Sequence, residues 1–126
     1  MEYRPLGRTD IRVSAIGLGT MTFGEQNTEA QGHEQIDYAL DQGVNLIDTA
    51  EMYSVPPRPA TYGSTERIIG SWIARSGKRS KVVLATKVAG PGAVLGVSHV
   101  RGGDNRLDRA NILAAVDASL ARLRTD

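Results

Sequence analysis

Short apolar runs alternate with longer segments of helical periodicity along the chain. Three of these runs are too short for a helix and are interpreted as strands, and the one that ends at Asp48 contains enough β-branched residues for a buried strand. The predicted strands are residues 15–19, 45–48 and 82–86. Apolar residues recur at helical spacing in three segments: about 29–42, 65–76 and a last segment after Asp108. This regular alternation predicts an α/β fold with parallel strands and right-handed crossovers.

Polar residues and glycines mark the predicted helix ends. Thr28 or Asn27 can cap the first helix, and Ser64 is expected to be the N-cap of the second. Asp108 can cap the third helix, Gly43 is expected to end the first helix in a left-handed conformation, and Gly77 is expected to end the second. Four apolar residues are expected to share one face of the third helix: Ile112, Val116, Leu120 and Leu123.

Segments outside this alternation predict a hairpin and two loops. Residues 3–6 and 11–14 flank a turn at Gly7 and predict an N-terminal β-hairpin. Residues 54–63 are rich in proline, and residues 89–107 form a second, glycine-rich segment. Long loops in compact domains are typically functional or mobile, but these two contain no pattern that indicates a specific role.

Composition restricts the class of protein. The 126 residues are 40% hydrophobic with a formal net charge of +1, which argues against a nucleic-acid or membrane-surface binder. Cysteine is absent, and His33 and His99 lack ligand spacing, so no disulfide or metal site is predicted. No apolar run approaches the roughly 18 residues of a membrane span, and the N-terminus lacks a signal-peptide pattern. We therefore expect a cytoplasmic protein.

The number of predicted strands is too small for a closed barrel. A barrel of parallel strands needs eight strands and about 250 residues. The chain ends at residues 124–126, just after a helix, where a fourth strand would be expected. We therefore expect residues 1–126 to be the amino-terminal part of a single larger domain.

Charged residues stand at the ends of two predicted strands. Asp48 ends the second strand and Lys87 follows the third. Since the carboxyl ends of parallel strands meet at one edge, where α/β proteins bind ligands, these opposite charges are expected to pair. Tyr53 follows closely enough to reach the same edge. A cation beside a phenol favours the phenolate, so Tyr53 could donate a proton near neutral pH.

Each of these residues also has a purely structural interpretation. Asp48 could cap a loop, Tyr53 could cover the core, and Lys87 could extend its ammonium group to solvent. The coincidence of all three at one edge favours a functional site.

The glycines of the first strand do not form a dinucleotide-binding fingerprint. In Gly17-Leu-Gly19-Thr-Met-Thr22 the third glycine is replaced by Thr22, and the acidic residue expected about 20 positions later is missing. Gly19 is better interpreted as a position where a ligand approaches the backbone closely, with packing as the alternative.

The segment Asp48-Thr-Ala-Glu-Met-Tyr53 closely resembles the aldo-keto reductase family. The resemblance extends over the whole chain, and its other segments are 6–9 with 13–14, 17–24, Thr65-Glu66 with Gly70, and 86–88. The proline-rich insert and the loop after Lys87 are most similar to bacterial Tas-type members.

This resemblance implies a (β/α)8 TIM barrel, of which the chain covers the N-terminal hairpin and about three βα units. It implies an oxidoreductase that uses NADPH to reduce a small carbonyl substrate, an aldehyde or ketone, to an alcohol. Tyr53 would be the proton donor, assisted by Lys87 and by Asp48, which pairs with the lysine. The residues expected to border the nicotinamide are Gly19, Thr20, Met21 and Asp48.

Other parts of the family pattern have no counterpart in these 126 residues. The family's catalytic histidine follows the fourth strand, and a carboxyl-terminal region binds the 2′-phosphate of the cofactor. We therefore expect the 126-residue chain alone to be inactive. The alternative is a non-enzymatic, cofactor-binding regulatory subunit on the same barrel, although the presence of Asp48, Tyr53 and Lys87 favours the enzyme. The particular carbonyl substrate and the oligomeric state are not predicted.

Overall fold

The structure is a computed structural model that describes residues 1–91 and 98–126. The strands in these ranges are β1 (Tyr3–Pro5), β2 (Arg12–Ser14), β3 (Gly17–Gly19), β4 (Leu46–Asp48) and β5 (Val83–Ala85). The α-helices are α1 (Glu29–Asp41), α2 (Ser64–Ser76) and α3 (Arg109–Leu123). Short 3₁₀ helices occupy Arg79–Lys81 and Val100–Gly103. The second of these lies in the predicted glycine-rich loop, of which residues 92–97 fall outside the described residues.

The N-terminal hairpin is confirmed. Strands β1 and β2 pair antiparallel, with Tyr3 opposite Ser14. Gly7 adopts a positive φ of 60° in the turn, a conformation that glycine reaches without steric cost. The Thr9 hydroxyl closes the turn by donating to the carbonyl of Leu6 at 2.7 Å.

The predicted parallel sheet is also confirmed, with strand order β3-β4-β5. Gly19 is level with Asp48 in one pairing, and Asp48 is level with Ala85 in the other. The three carboxyl-terminal strand ends therefore lie side by side. We call this edge, formed by Gly19, Asp48 and the residues after Ala85, the rim.

A hydrophobic core lies between the sheet and the helices. Its most buried members include Trp72 of α2, Ile36 of α1 and Ile47 of β4. Leu123 brings the end of α3 into the same core. Burial of large apolar side chains from every layer fixes the helices against the sheet and so fixes the position of the rim.

The helix ends match the predicted caps at all but one position. Thr28 forms a capping box with Gln31, and the Asp108 carboxylate accepts from the backbone N–H of Asn111 at 2.9 Å. The prediction for α2 was wrong, because Ser64 is its first residue and the N-cap is Gly63, with a φ of 71°. The chain leaves the proline-rich loop through this left-handed glycine, so no hydroxyl is in place to cap the helix.

The predicted apolar face of α3 was wrong in its first half. Ile112 and Val116 are 39% and 41% exposed, whereas the buried residues of α3 are Ala115, Ser119 and Leu123. The small side chains of Ala115 and Ser119 allow this part of the helix to pack closely, and Ile112 and Val116 lie at the surface. None of the helices in the described ranges combines the length and apolar character required to cross a bilayer.

Candidate active site

Asp48 and Lys87 form the predicted ion pair at the rim. The lysine Nζ lies 2.8 Å from each carboxylate oxygen of Asp48. It also donates to the backbone carbonyl of Thr49 at 2.7 Å, so the ammonium group is held by three oxygens. Both side chains are 47% exposed, which leaves the pair accessible from solvent. The Asp48 carboxylate therefore binds Lys87 and does not cap a loop. The Lys87 ammonium group is paired and does not extend freely into solvent.

Tyr53 lies against the same ammonium group. The Nζ of Lys87 is 5.0 Å from the centroid of the Tyr53 ring, within the range of a cation–π contact. The ring is partly buried, and Tyr53 is not a member of either hydrophobic cluster of the described residues. The second, smaller cluster is formed by Met52, Tyr62, Ala89 and Val100. The structure thus brings together Asp48, Lys87 and Tyr53, the three side chains that the sequence predicted to meet at this edge.

The residues predicted to border a cofactor divide into two kinds. Apart from the two chain neighbours of Gly19, no described residue has an atom within 4 Å of a Cβ built on it, so the space there is open among the described residues. Met21 is 48% exposed beside it. Thr20, in contrast, is fully buried, and its N–H and hydroxyl both donate to the carbonyl of Asp48, at 3.1 and 2.7 Å. Thr20 therefore holds β3 to Asp48, whereas Gly19 and Met21 supply open surface.

Two buried glutamates near the rim were missed by the sequence analysis. Glu51 is fully buried, forms an ion pair with Arg101 and accepts from the backbone N–H of Ala89 at 2.6 Å. The position of Glu51 between Asp48 and Tyr53 was the one feature of the sequence that could have indicated a role at the rim.

Glu66 is the second buried glutamate. It accepts from the Thr86 hydroxyl and from Arg122 Nε, each at 2.6 Å. Glu66 lies within the Thr65-Glu66 segment of the family resemblance, but the pairing with Arg122 has no local signal in the sequence.

The two histidines have structural contacts in the described part of the chain. Within residues 1–91 and 98–126, no group of three or more His, Cys, Asp or Glu side chains is arranged to hold a metal ion. His33 lies between α1 and α2, with its Nε2 at hydrogen-bond distance from the Ile68 carbonyl (3.0 Å) and the Ser71 hydroxyl (2.9 Å). His99 packs edge-on against Tyr62.

The parallel sheet and its helices place the chain in the α/β class, in which ligands commonly bind at the carboxyl-terminal strand ends. In this chain an acid, an amine and a phenol meet at that edge. Comparison with known families specifies the class further. The sequence model of the Aldo/keto reductase family matches residues 15–126, and the chain belongs to this family. The predicted resemblance is therefore confirmed.

Known relatives match the chain along its whole length. Protein tas of Escherichia coli K12 is 52% identical over 128 residues, which cover 100% of this chain and 36% of tas. YrpG of Bacillus subtilis, named as an uncharacterized oxidoreductase, is 43% identical over 130 residues, which cover 100% of this chain and 37% of YrpG. The chain thus spans little more than a third of the length of these relatives.

Solved structures confirm the fold. A putative aldo-keto reductase from Pseudomonas aeruginosa superposes with a TM-score of 0.75 at 31% identity, covering 98% of this chain and 42% of that one. The hairpin and the strand–helix units correspond to the N-terminal hairpin and about three βα units of the (β/α)8 TIM barrel of these reductases, as predicted.

Proposed function

We propose that the chain is the amino-terminal part of an NADPH-dependent oxidoreductase that reduces aldehydes or ketones to alcohols. The observation that carries the proposal is the contact of Asp48, Lys87 and Tyr53 at the rim. Membership of the aldo/keto reductase family supports the same reaction class. Catalysis is proposed for the longer polypeptide, because the family's histidine after the fourth strand has no counterpart in these residues.

The open end of β3 fits a flat nicotinamide ring. Gly19 has no side chain, and beyond its chain neighbours no described residue comes within 4 Å of where its Cβ would lie, so a planar ring can approach the backbone there. We assign Gly19, Met21 and Asp48 to the border of this position. Thr20 is fully buried and has a supporting role, because its hydroxyl donates to the Asp48 carbonyl at 2.7 Å. Bound NADPH would supply the hydride to the carbonyl carbon.

The role of the protein is to deliver a proton to the carbonyl oxygen. Tyr53 donates that proton from its hydroxyl, and the ammonium group of Lys87, 5.0 Å from the ring centroid, stabilises the negative charge that remains on the phenolate. Asp48 and the Thr49 carbonyl hold the ammonium group in place. A group that is already in place requires little reorganisation as charge develops.

The proposed function is tested with the full-length polypeptide that carries this chain. We expect loss of NADPH absorbance when a panel of aldehydes and ketones is added, with the corresponding alcohols as products, and much slower loss with NADH. Equal rates with both cofactors would contradict the NADPH assignment. Tight NADPH binding without turnover of any carbonyl would contradict the enzyme and favour the regulatory subunit on the same barrel.

A further inference from the structure

A single buried ion pair holds both backbone groups of Ala89. Glu51 Oε1 accepts from the Ala89 N–H at 2.6 Å and also contacts Arg101 Nη1. Arg101 Nη2 donates to the Ala89 carbonyl at 2.8 Å. Glu51 is fully buried and the Arg101 side chain is 11% exposed, so water competes little with these contacts. The position of Ala89 is therefore set by Glu51 and Arg101 together.

Ala89 lies two residues after Lys87, and Glu51 also contacts Lys87 directly through its backbone. The Glu51 N–H donates to the carbonyl of Lys87 at 3.1 Å. The segment that carries Lys87 is thus hydrogen-bonded to Glu51 at two points, the carbonyl of Lys87 and the N–H of Ala89. Asp48 and the Thr49 carbonyl fix the ammonium group, and the backbone at Lys87 fixes the other end of the side chain. A shift of this backbone would therefore move the ammonium group relative to Asp48 and Tyr53.

The residue before Lys87 is held separately. The Thr86 hydroxyl donates to Glu66 at 2.6 Å, and Glu66 pairs with Arg122. This second pair contacts a side chain and reaches the backbone of neither Lys87 nor Ala89 in the described structure. The Glu51–Arg101 pair is therefore the one that acts on the lysine segment from its carboxyl-terminal side.

We propose that Glu51 and Arg101 are positioning residues that hold the Lys87 ammonium group beside Tyr53 and Asp48. The inference rests on the proposed function, in which Lys87 stabilises charge on Tyr53. In the described structure neither residue forms a hydrogen bond with the ammonium group, so both act through the backbone at Ala89 and Lys87. A displacement of about 1 Å at a catalytic group is sufficient to lower kcat by up to about a hundredfold.

Glu51→Gln is a suitable probe because it preserves the shape of the side chain. Among the described residues, the hydrogen bonds of the Glu51 carboxylate run through Oε1, and Oε2 has no hydrogen-bond partner. Glutamine keeps one acceptor for the Ala89 N–H but removes the charge that holds Arg101. Arg101→Lys is the second variant, since lysine keeps the charge and loses the two-pronged contact with Glu51 and Ala89.

The experiment measures both variants in the full-length polypeptide, with Asp37→Asn as the control. Asp37 pairs with Arg75 and Lys78 and contacts nothing at the rim in the described structure. We expect kcat for NADPH-dependent carbonyl reduction to fall about 10- to 100-fold in both variants, while KM for NADPH stays at the wild-type value. Asp37→Asn should keep the wild-type kcat.

A second readout does not depend on turnover. Acetylation of Lys87 by an N-hydroxysuccinimide ester, followed by peptide mass spectrometry, reports how firmly the ammonium group is held. We expect this rate to rise several-fold in Glu51→Gln and Arg101→Lys, with the exposed Lys81 unchanged as an internal reference. Asp37→Asn should leave both rates unchanged.

The outcomes separate the two claims. The positioning role would be overturned if Glu51→Gln kept both the wild-type kcat and the wild-type rate of Lys87 acetylation. If Glu51→Gln does not fold, the same two measurements on Arg101→Lys decide. If the wild-type protein reduces no carbonyl, the proposed function fails and acetylation alone decides: a faster rate supports the positioning role, and an equal rate overturns it.

Discussion

Asp37 shows how a carboxylate on α1 is coupled to the helix beside it. It accepts hydrogen bonds from Trp72 Nε1 at 3.1 Å, Arg75 Nη2 at 3.1 Å and Lys78 Nζ at 3.0 Å. Partial burial acts to raise the pKa of Asp37, whereas the hydrogen bonds from Lys78 and Trp72 and the charges of Lys78 and Arg75 lower it. The net pKa of this carboxyl lies below its usual value.

A carboxyl with a lowered pKa in the folded state stabilises the fold above its unfolded pKa of about 3.9, and this contribution disappears as the pH falls through the folded value. Asp37→Asn should therefore lower the free energy of unfolding by about 1 kcal/mol or less at pH 7, because solvent screens this 36% exposed carboxylate. The difference should shrink at about pH 3. Denaturant titrations at both pH values measure it.

Glu34→Gln is the matched control on the same helix, since Glu34 is exposed and has no ion pair among the described residues. It should leave stability unchanged at both pH values. An equal loss in Asp37→Asn at neutral and acidic pH would show that packing, and not charge, is the cause.

For single residues, the sequence predicts a contact where that contact follows from the position of the residue at the end of a strand. Asp48 and Lys87 each stand at the end of an apolar run, and parallel pairing then brings them together. Glu51 and Arg101 could not be predicted in the same way. A glutamate in a loop is usually exposed, and nothing local indicates that an arginine fifty positions away is folded against it.

Packing of α3 on α2 depends on one position without a side chain. A Cβ built on Gly70 would overlap the backbone carbonyl of Arg122 and lie 3.0 Å from the Cα of Leu123. Backbone atoms cannot rotate away as a flexible side chain can. Gly70 therefore permits the close approach that buries Leu123 in the core.

Gly70→Ala should destabilise the protein by about 1–3 kcal/mol, because the added methyl group forces the two helices apart. This loss would occur despite the gain of about 1 kcal/mol that alanine provides in a helix interior. Thermal or denaturant unfolding measures the change. Gly90→Ala is the control, since its Cβ would lie at an ordinary 3.6 Å from Leu107 Cδ1. Wild-type stability in Gly70→Ala would contradict the close contact.

The helices and strands were predictable from periodicity, whereas the buried face of α3 and the start of α2 were not. Ala115 and Ser119 are buried, but small residues contribute almost nothing to a hydrophobic pattern. Ile112 and Val116 dominated that pattern and are exposed. The start of α2 depends on the left-handed conformation of Gly63, which a sequence does not distinguish from an ordinary turn glycine.

At the scale of the molecule, the parallel sheet is open at both sides. Strands β3 and β5 each have a single neighbour, β4, among the described residues. Beside β3, Ile16 and Tyr38 are 63% and 68% exposed and line a groove against α1. In a closed (β/α)8 barrel every strand has two neighbours. In the proposed longer polypeptide, a further strand of the barrel would pair with β3 and cover this groove. The exposed groove is therefore consistent with the barrel that the family implies.

The central claim is that Tyr53, supported by Lys87 and Asp48, delivers the proton at the rim. It is tested most directly with Tyr53→Phe in the full-length polypeptide, measured by NADPH binding and by steady-state carbonyl reduction, alongside the isolated 126-residue chain. We predict that Tyr53→Phe binds NADPH as the wild type does but loses about 10²- to 10⁴-fold in kcat, and that the isolated chain shows no turnover above background. Wild-type kcat in Tyr53→Phe would contradict the account.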